Sequence, residues 1–265
     1  MMEIPKWQTR FLQIMSLVVL AMTLYVNYLS NALPLNGRTA KMISDQYANY
    51  FTPAPFTFLI WIVIYIGLTA YTFWQLSSIF NPTSSTKVDI VVNRIGLLFI
   101  FTGIFNMAWL FAWHHDNLFL SVMLMIGLLL TLLEINKRIF LLIPNIPQMR
   151  LLVKFPFGLY FGWISIALIA NVAAYLVKTE WNAWGIDPRV WTFIFIVIGA
   201  ALAYWVIKQF NSIGYGIAVL WGLIGIFVMH IGDSVPSITI MLTIIISMIV
   251  LFIMILKRFE RWSTV

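Results

Sequence analysis

Apolar residues gather into eight stretches of about 17–25 residues, each long enough for a helix to cross roughly 30 Å of hydrocarbon. They lie near 11–32, 56–79, 95–113, 117–136, 155–177, 190–208, 214–231 and 236–256. The pattern predicts an all-α fold, a polytopic membrane bundle of about eight transmembrane helices. The seventh and eighth stretches are separated only by Gly232-Asp233-Ser234-Val235-Pro236, which predicts an antiparallel hairpin. The first stretch has a signal-peptide look: Lys6 and Arg10 precede it and the small residues Ser30-Asn31-Ala32 follow. Its apolar run is longer than a signal's core, so a retained helix is expected.

The polar positions inside these stretches carry the chemistry. Phe51–Tyr71, FTPAPFTFLIWIVIYIGLTAY, opens on Pro53 and Pro55, so regular helix is expected only from near Phe56. Trp61 and Tyr65 then share a face, with Thr69 and Thr72 continuing the stripe. Such a stripe is either helix packing with an aromatic belt or the lining of a ligand site. In the third stretch Asn106, Trp109 and Trp113 fall on one side. An amide at that depth needs a partner in protein or ligand rather than lipid. In the fifth, PFGLYFGWISIALIANVAAYLVK, the residues Trp163, Ala167, Ala170, Asn171 and Ala174 share a face. Those small side chains either admit a neighbouring helix or leave a hollow beside Trp163.

Composition confirms the class: 62% of residues are hydrophobic and 9% charged, against about 25% charged in soluble domains. The net charge of +7 then reports topology rather than nucleic-acid binding, because it sits in the loops. Counting Lys and Arg on alternate sides gives twelve with the termini and four (Arg38, Lys41, Lys178, Arg189) opposite. Both termini are therefore expected on the cytoplasmic side, in a membrane expected to be a bacterial plasma membrane. The long loop 33–54 contains Tyr47, Tyr50 and Phe51, more aromatic than a spacer needs, and is expected to fold back as a lid.

Several chemistries are set aside. Cysteine is absent, which removes disulfides and thiolate sites. His114-His115-Asp116 invites a metal reading, but adjacent histidines on a turn diverge and no metal is expected. Glu134 has Lys137 and Arg138 one turn on, the spacing of a local ion pair. Residues 172–178 fit a loose sterol pattern that apolar helices match by chance. His230 and Asp233 sit at the end of the seventh stretch, where solvent is sufficient partner, and Gly214, Gly216, Gly222 and Gly225 suit close packing there. No lysine lies mid-helix for a retinal Schiff base.

Trp61-x-x-x-Tyr65 behind a proline–aromatic entry, Asn106-x-x-Trp109, and Trp163-x-Ser165-x-Ala167-x-x-x-Asn171 occur in that order. In this the chain resembles the TspO/MBR family of tryptophan-rich sensory and peripheral benzodiazepine receptor-like membrane proteins. It departs in the alanine between the two prolines and in Thr69 where the family has glycine. The resemblance implies a five-helix core over residues 1–178, with 179–265 an additional three-helix segment. It further implies a pocket below the first loop for a flat hydrophobic ligand, a porphyrin, haem-like tetrapyrrole or sterol-like lipid, with no cofactor required. Trp61, Tyr65, Asn106, Trp109, Trp163, Ala167 and Asn171 are the expected lining residues; membrane lipid and a second copy of the chain are the expected partners. A transporter or permease is the alternative, weakened because no carboxylate lies mid-membrane for coupling. A membrane enzyme acting on lipid or porphyrin is the third reading, without a recognisable catalytic set.

The charge asymmetry predicts the outcome of fusions after Thr86, Asn117 and Val265. The fluorescent reporter should light at Thr86 and Val265 and alkaline phosphatase act at Asn117; phosphatase activity at Val265 would overturn the orientation.

Overall fold

The computed structural model describes residues 5–32, 35–80, 85–142, 149–232 and 237–263, with no strand among them. Nine α-helices are present among the described residues. They are α1 (Lys6–Ala32), α2 (Ala40–Gln46), α3 (Ile60–Phe80), α4 (Ser85–His114), α5 (Leu118–Leu142), α6 (Phe155–Lys178), α7 (Pro188–Phe210), α8 (Ile213–Ile231) and α9 (Ile238–Ser263). All except α2 are long and apolar enough to span a membrane, giving eight spans as the hydrophobic pattern predicts. α4 starts ten residues before its apolar stretch, because Lys87, Asp89, Asn93 and Arg94 extend the helix past the hydrocarbon. Asp233 and the rest of the α8–α9 turn through Pro236 lie outside the described residues.

Local chemistry sets the ends. Thr39 caps α2, its hydroxyl accepting from the Met42 N–H at 3.2 Å. Asp187 caps α7 with Pro188 at the first helical position, and Asn211 in the left-handed region (φ 49°) closes that helix. Glu134 pairs with Arg138 at 2.8 Å, the local ion pair expected from spacing.

α1 lies along α4, α4 along α5, α5 along α6 and α6 along α8, while α7, α8 and α9 pack on one another. The last three helices are thus seated directly on the core of the first five. The α6–α8 crossing needs glycine: a Cβ on Gly162 would lie 2.4 Å from the Tyr215 carbonyl oxygen and 2.9 Å from Ala218 Cβ. Small residues at a crossing let the two backbones meet, which is how helices gain contact where lipid is as apolar as their side chains.

α1 is inverted relative to a helix in water. Trp7, Phe11, Ile14 and Met22 point outward, whereas Thr9, Gln13, Ser16, Thr23 and Ser30 are buried. Their three- and four-residue spacing makes one continuous inner face. This polar face was not apparent from the hydrophobic run alone.

Gly162→Ala should cost about 1–3 kcal/mol by overpacking the crossing. Gly199→Ala, whose new methyl would meet only Ile169 and Ile166 side-chain ends at 3.4 Å or more, should be neutral or stabilising by helix propensity. Thermal unfolding in detergent, followed by tryptophan fluorescence, separates the two; equal effects would show that α6 and α8 do not meet at Gly162.

Candidate ligand-binding cavity

The entry to α3 builds one wall. Pro53 and Pro55 have no N–H, so Ala54 carries the only main-chain donor of the three, and it donates to the Gly225 carbonyl of α8 at 2.9 Å. Pro55–Leu59 then forms a 3-10 turn before the α-helix starts at Ile60. Trp221 Nε1 donates to the Thr57 carbonyl at 2.7 Å, and a Cβ on Gly225 would lie 2.0 Å from Thr57 Oγ1. α8 therefore fixes the angle at which Phe58 and Trp61 enter the bundle, a role that the sequence pattern did not reveal.

Trp61 is the hub of an aromatic group drawn from three helices. It stacks on Tyr65 (centroids 5.4 Å apart, planes 18° apart) and on Trp109 (6.2 Å, 28°). It meets Tyr160 and Trp163 edge-on at 5.7 and 6.2 Å. Offset stacks and edge contacts are the arrangements favoured by the ring quadrupoles.

Beside these rings lies a cavity of about 720 Å³, within the range of small-molecule sites. Trp61, Tyr65, Trp109, Trp163, Ala167 and Asn171 all line it, as do Ala170 and Ala174 of the same α6 face. Asn106, expected in the lining, lies beneath the floor instead. Its oxygen accepts from Asn27 Nδ2 (2.9 Å) and the Tyr65 hydroxyl (3.3 Å), and its nitrogen donates to the Tyr160 hydroxyl (3.2 Å). Fully buried, it joins four helices and positions Tyr65 rather than facing the space. Thr69 and Thr72 are also outside the lining, and the Thr72 hydroxyl donates to the Leu68 carbonyl of its own helix. Asn171 borders the cavity, yet its amide is held by Ser121 Oγ at 2.9 Å and Met125 Sδ at 3.2 Å.

Sequence reasoning missed the contribution of α1, whose Leu24, Asn27 and Tyr28 complete the lining. The signal was available in Asn27, an amide on the same face as Thr23. Tyr28, Leu59 and Ile62 belong both to the lining and to the exterior, with 65%, 56% and 58% of their surface exposed. The cavity thus reaches the lipid-facing surface between α1 and α3.

Residues 35–54 cover one end of the cavity, placing Ala40, Lys41, Ser44 and Tyr47 over it. The cover is tied down: Trp113 Nε1 donates to the Ala40 carbonyl (3.2 Å) and His230 Nε2 to the Tyr50 carbonyl (2.8 Å). The Tyr47 hydroxyl donates to the Asp116 carboxylate at 3.0 Å, and Lys178 pairs with the same carboxylate at 2.8 Å. Burial first, then the adjacent Asp116 carboxylate, raises the Tyr47 phenol above its ordinary value, with Arg38 opposing. The phenol stays protonated and donating at neutral pH, and its contribution, whole below the ordinary tyrosine value, is lost as pH rises from there through the raised one. His114 and His115 each turn a ring nitrogen back to the carbonyl four residues earlier, at 2.7 and 2.9 Å. They do not converge with Asp116.

A family model described as TSPO-like protein matches residues 13–257, continuing past Lys178 through α7, α8 and most of α9. No curated protein and no solved structure matches the chain.

Asn106→Ala should lower stability by about 1–3 kcal/mol, since it strands several buried polar groups, whereas Tyr65→Phe should cost about 0.5–1.5 kcal/mol. Thermal unfolding of both variants tests the order; a negligible loss in Asn106→Ala would show that the four-helix junction does not form.

Proposed function

The chain belongs to the TSPO-like family of membrane proteins, and on that premise we propose that it binds a flat, hydrophobic small molecule in the cavity beside Trp61. The ligand class is a tetrapyrrole or a sterol-like lipid. The observation that carries this reading is the aromatic hub: Trp61 stacks on Trp109, planes 28° apart, beside a space of about 720 Å³. A planar ring system can extend that stack, and Ala167, Ala170 and Ala174 leave the α6 wall shallow. The opening between α1 and α3 supports delivery from the bilayer. In the orientation that the Lys and Arg distribution supports, with both termini cytoplasmic, the cavity and its cover lie in the outer half of the membrane.

A porphyrin titrated into the purified protein should quench tryptophan fluorescence saturably, and Trp109→Leu or Trp163→Leu should weaken binding several-fold. Ala167→Leu is the sharper test. If that face lines the ligand site, it should reduce affinity by about 1–3 kcal/mol while the bundle tolerates it. Lower thermal stability with affinity intact would mean that Ala167 serves a helix contact instead. Mass spectrometry of molecules retained through purification would identify the ligand itself.

A further inference from the structure

We infer that the α1–α3–α4 interface holds a second site, separate from the cavity, that binds water and is divided from the cavity by a plug of three apolar side chains. The site lies toward the end of the bundle that carries Thr9 and Asn93, whose hydrogen bond of 3.0 Å joins α1 to α4. There Gln13 Nε2 donates to the Gln75 main-chain oxygen and, at 2.8 Å, to Ser78 Oγ.

The Gln75 side chain is fully buried, yet neither its amide nitrogen nor its amide oxygen has a partner among the described residues. One turn along α1 from Gln13, the Ser16 hydroxyl is equally buried and unpartnered; one turn along α3 from Gln75, so is the Tyr71 hydroxyl. A single such group is a packing accident. Four unfilled polar atoms on two facing helices, at membrane depth, constitute a receptor for hydrogen bonds.

The neighbours decide the chemical class. Arg10 reaches Gln13 Oε1 at 2.9 Å and Ser78 Oγ at 3.0 Å, which disfavours a metal cation. Asp89 accepts from that same Ser78 hydroxyl at 2.8 Å, which disfavours an anion. The unfilled atoms include a donor, an acceptor and two hydroxyls that serve as either. A small neutral molecule that both donates and accepts fits all of these conditions, and water is that molecule. Arg10, Asp89 and Asn93 are only half-buried and form the mouth by which it enters.

Toward the cavity the polar path is interrupted once. Leu20 follows Ser16 along α1, Leu68 precedes Tyr71 on α3, and Phe99 lies between Asn93 and Asn106 on α4; all three are buried. They border a small void of about 10 Å³ shared with Tyr65, roughly the least space that holds one water. Thr23 and Thr102 border it as well, their hydroxyls bonded to their own helices at 2.8 and 2.6 Å. Beyond that void stand Tyr65, Asn106 and the cavity floor. An apolar constriction between two polar stretches closes a path to water and protons by dewetting. The interface is a hydrated half-channel, stopped below the ligand cavity.

The test uses the full chain in lipid bilayers. Water-edited solid-state NMR on glutamine- and asparagine-labelled protein should show early transfer from water to the Gln75 side-chain amide, assigned by its loss in Gln75→Leu. The buried Asn136 amide, which bonds the Leu132 and Phe157 carbonyls, is the dry control. A Gln75 amide as slow as that of Asn136 overturns the site. Leu20→Ser, checked for folding by its retained helix content, should raise proton leak across liposomes above that of wild type. Unchanged leak in the folded variant overturns the plug.

Discussion

A polar group held at bilayer depth must find its partner inside the protein, and Asn106 is where that requirement shapes the bundle. Its amide gathers Asn27 from α1, Tyr65 from α3 and Tyr160 from α6 onto α4. Each bond alone is modest, of the order of 0.6–2 kcal/mol between membrane helices. Together they fix the height and rotation of four helices at one level. The aromatic hub stands on that junction, because Tyr65 is at once a member of the hydrogen-bonded floor and the ring on which Trp61 stacks. Ring geometry above therefore depends on amide geometry below.

The second dependence runs outward to α8. A chain segment with prolines on both sides of one residue has a single donor to place, and Ala54 places it on Gly225. Glycine is needed at that point because the Thr57 side chain occupies the position a methyl group would take. A helix remote in sequence thus positions the start of α3, and with it Phe58 and Trp61. The family match across residues 13–257 is consistent with this mutual dependence, since it runs through α7 and α8 as it does through the first five spans.

Much of this was legible in the sequence, and the boundary of legibility has a physical cause. Hydrophobic run length reports hydrocarbon thickness, so the eight spans could be read directly. Helical spacing reports which residues share a face, so Trp163, Ala167, Asn171 and Ala174 group by spacing alone, and all four border the cavity. Spacing does not report what a face meets. Asn106 and Trp109 share a side of α4, yet one passes under the floor and the other forms the wall. Nor did the apolar run of α1 disclose its inner face. In a membrane the solvent is apolar, so the informative residues of that helix were its few hydroxyls and amides, at positions 9, 13, 16, 23, 27 and 30. Tertiary partners such as Ala54 with Gly225 carry no local signal at all.

The same inversion of solvent bears on how a ligand of the proposed kind would be held. A molecule that leaves lipid for the cavity through the gap by Tyr28, Leu59 and Ile62 does not leave water, so burial of its apolar surface contributes little. Affinity must come from what lipid cannot offer: flat aromatic faces held at a fixed spacing. Trp61 and Trp109 supply them. Their rigidity then matters more than cavity size, because a wall that had to reorganise would lose the stacking it provides. The Asn106 junction below, the α8 contact behind and the pinned cover above all hold those rings in place.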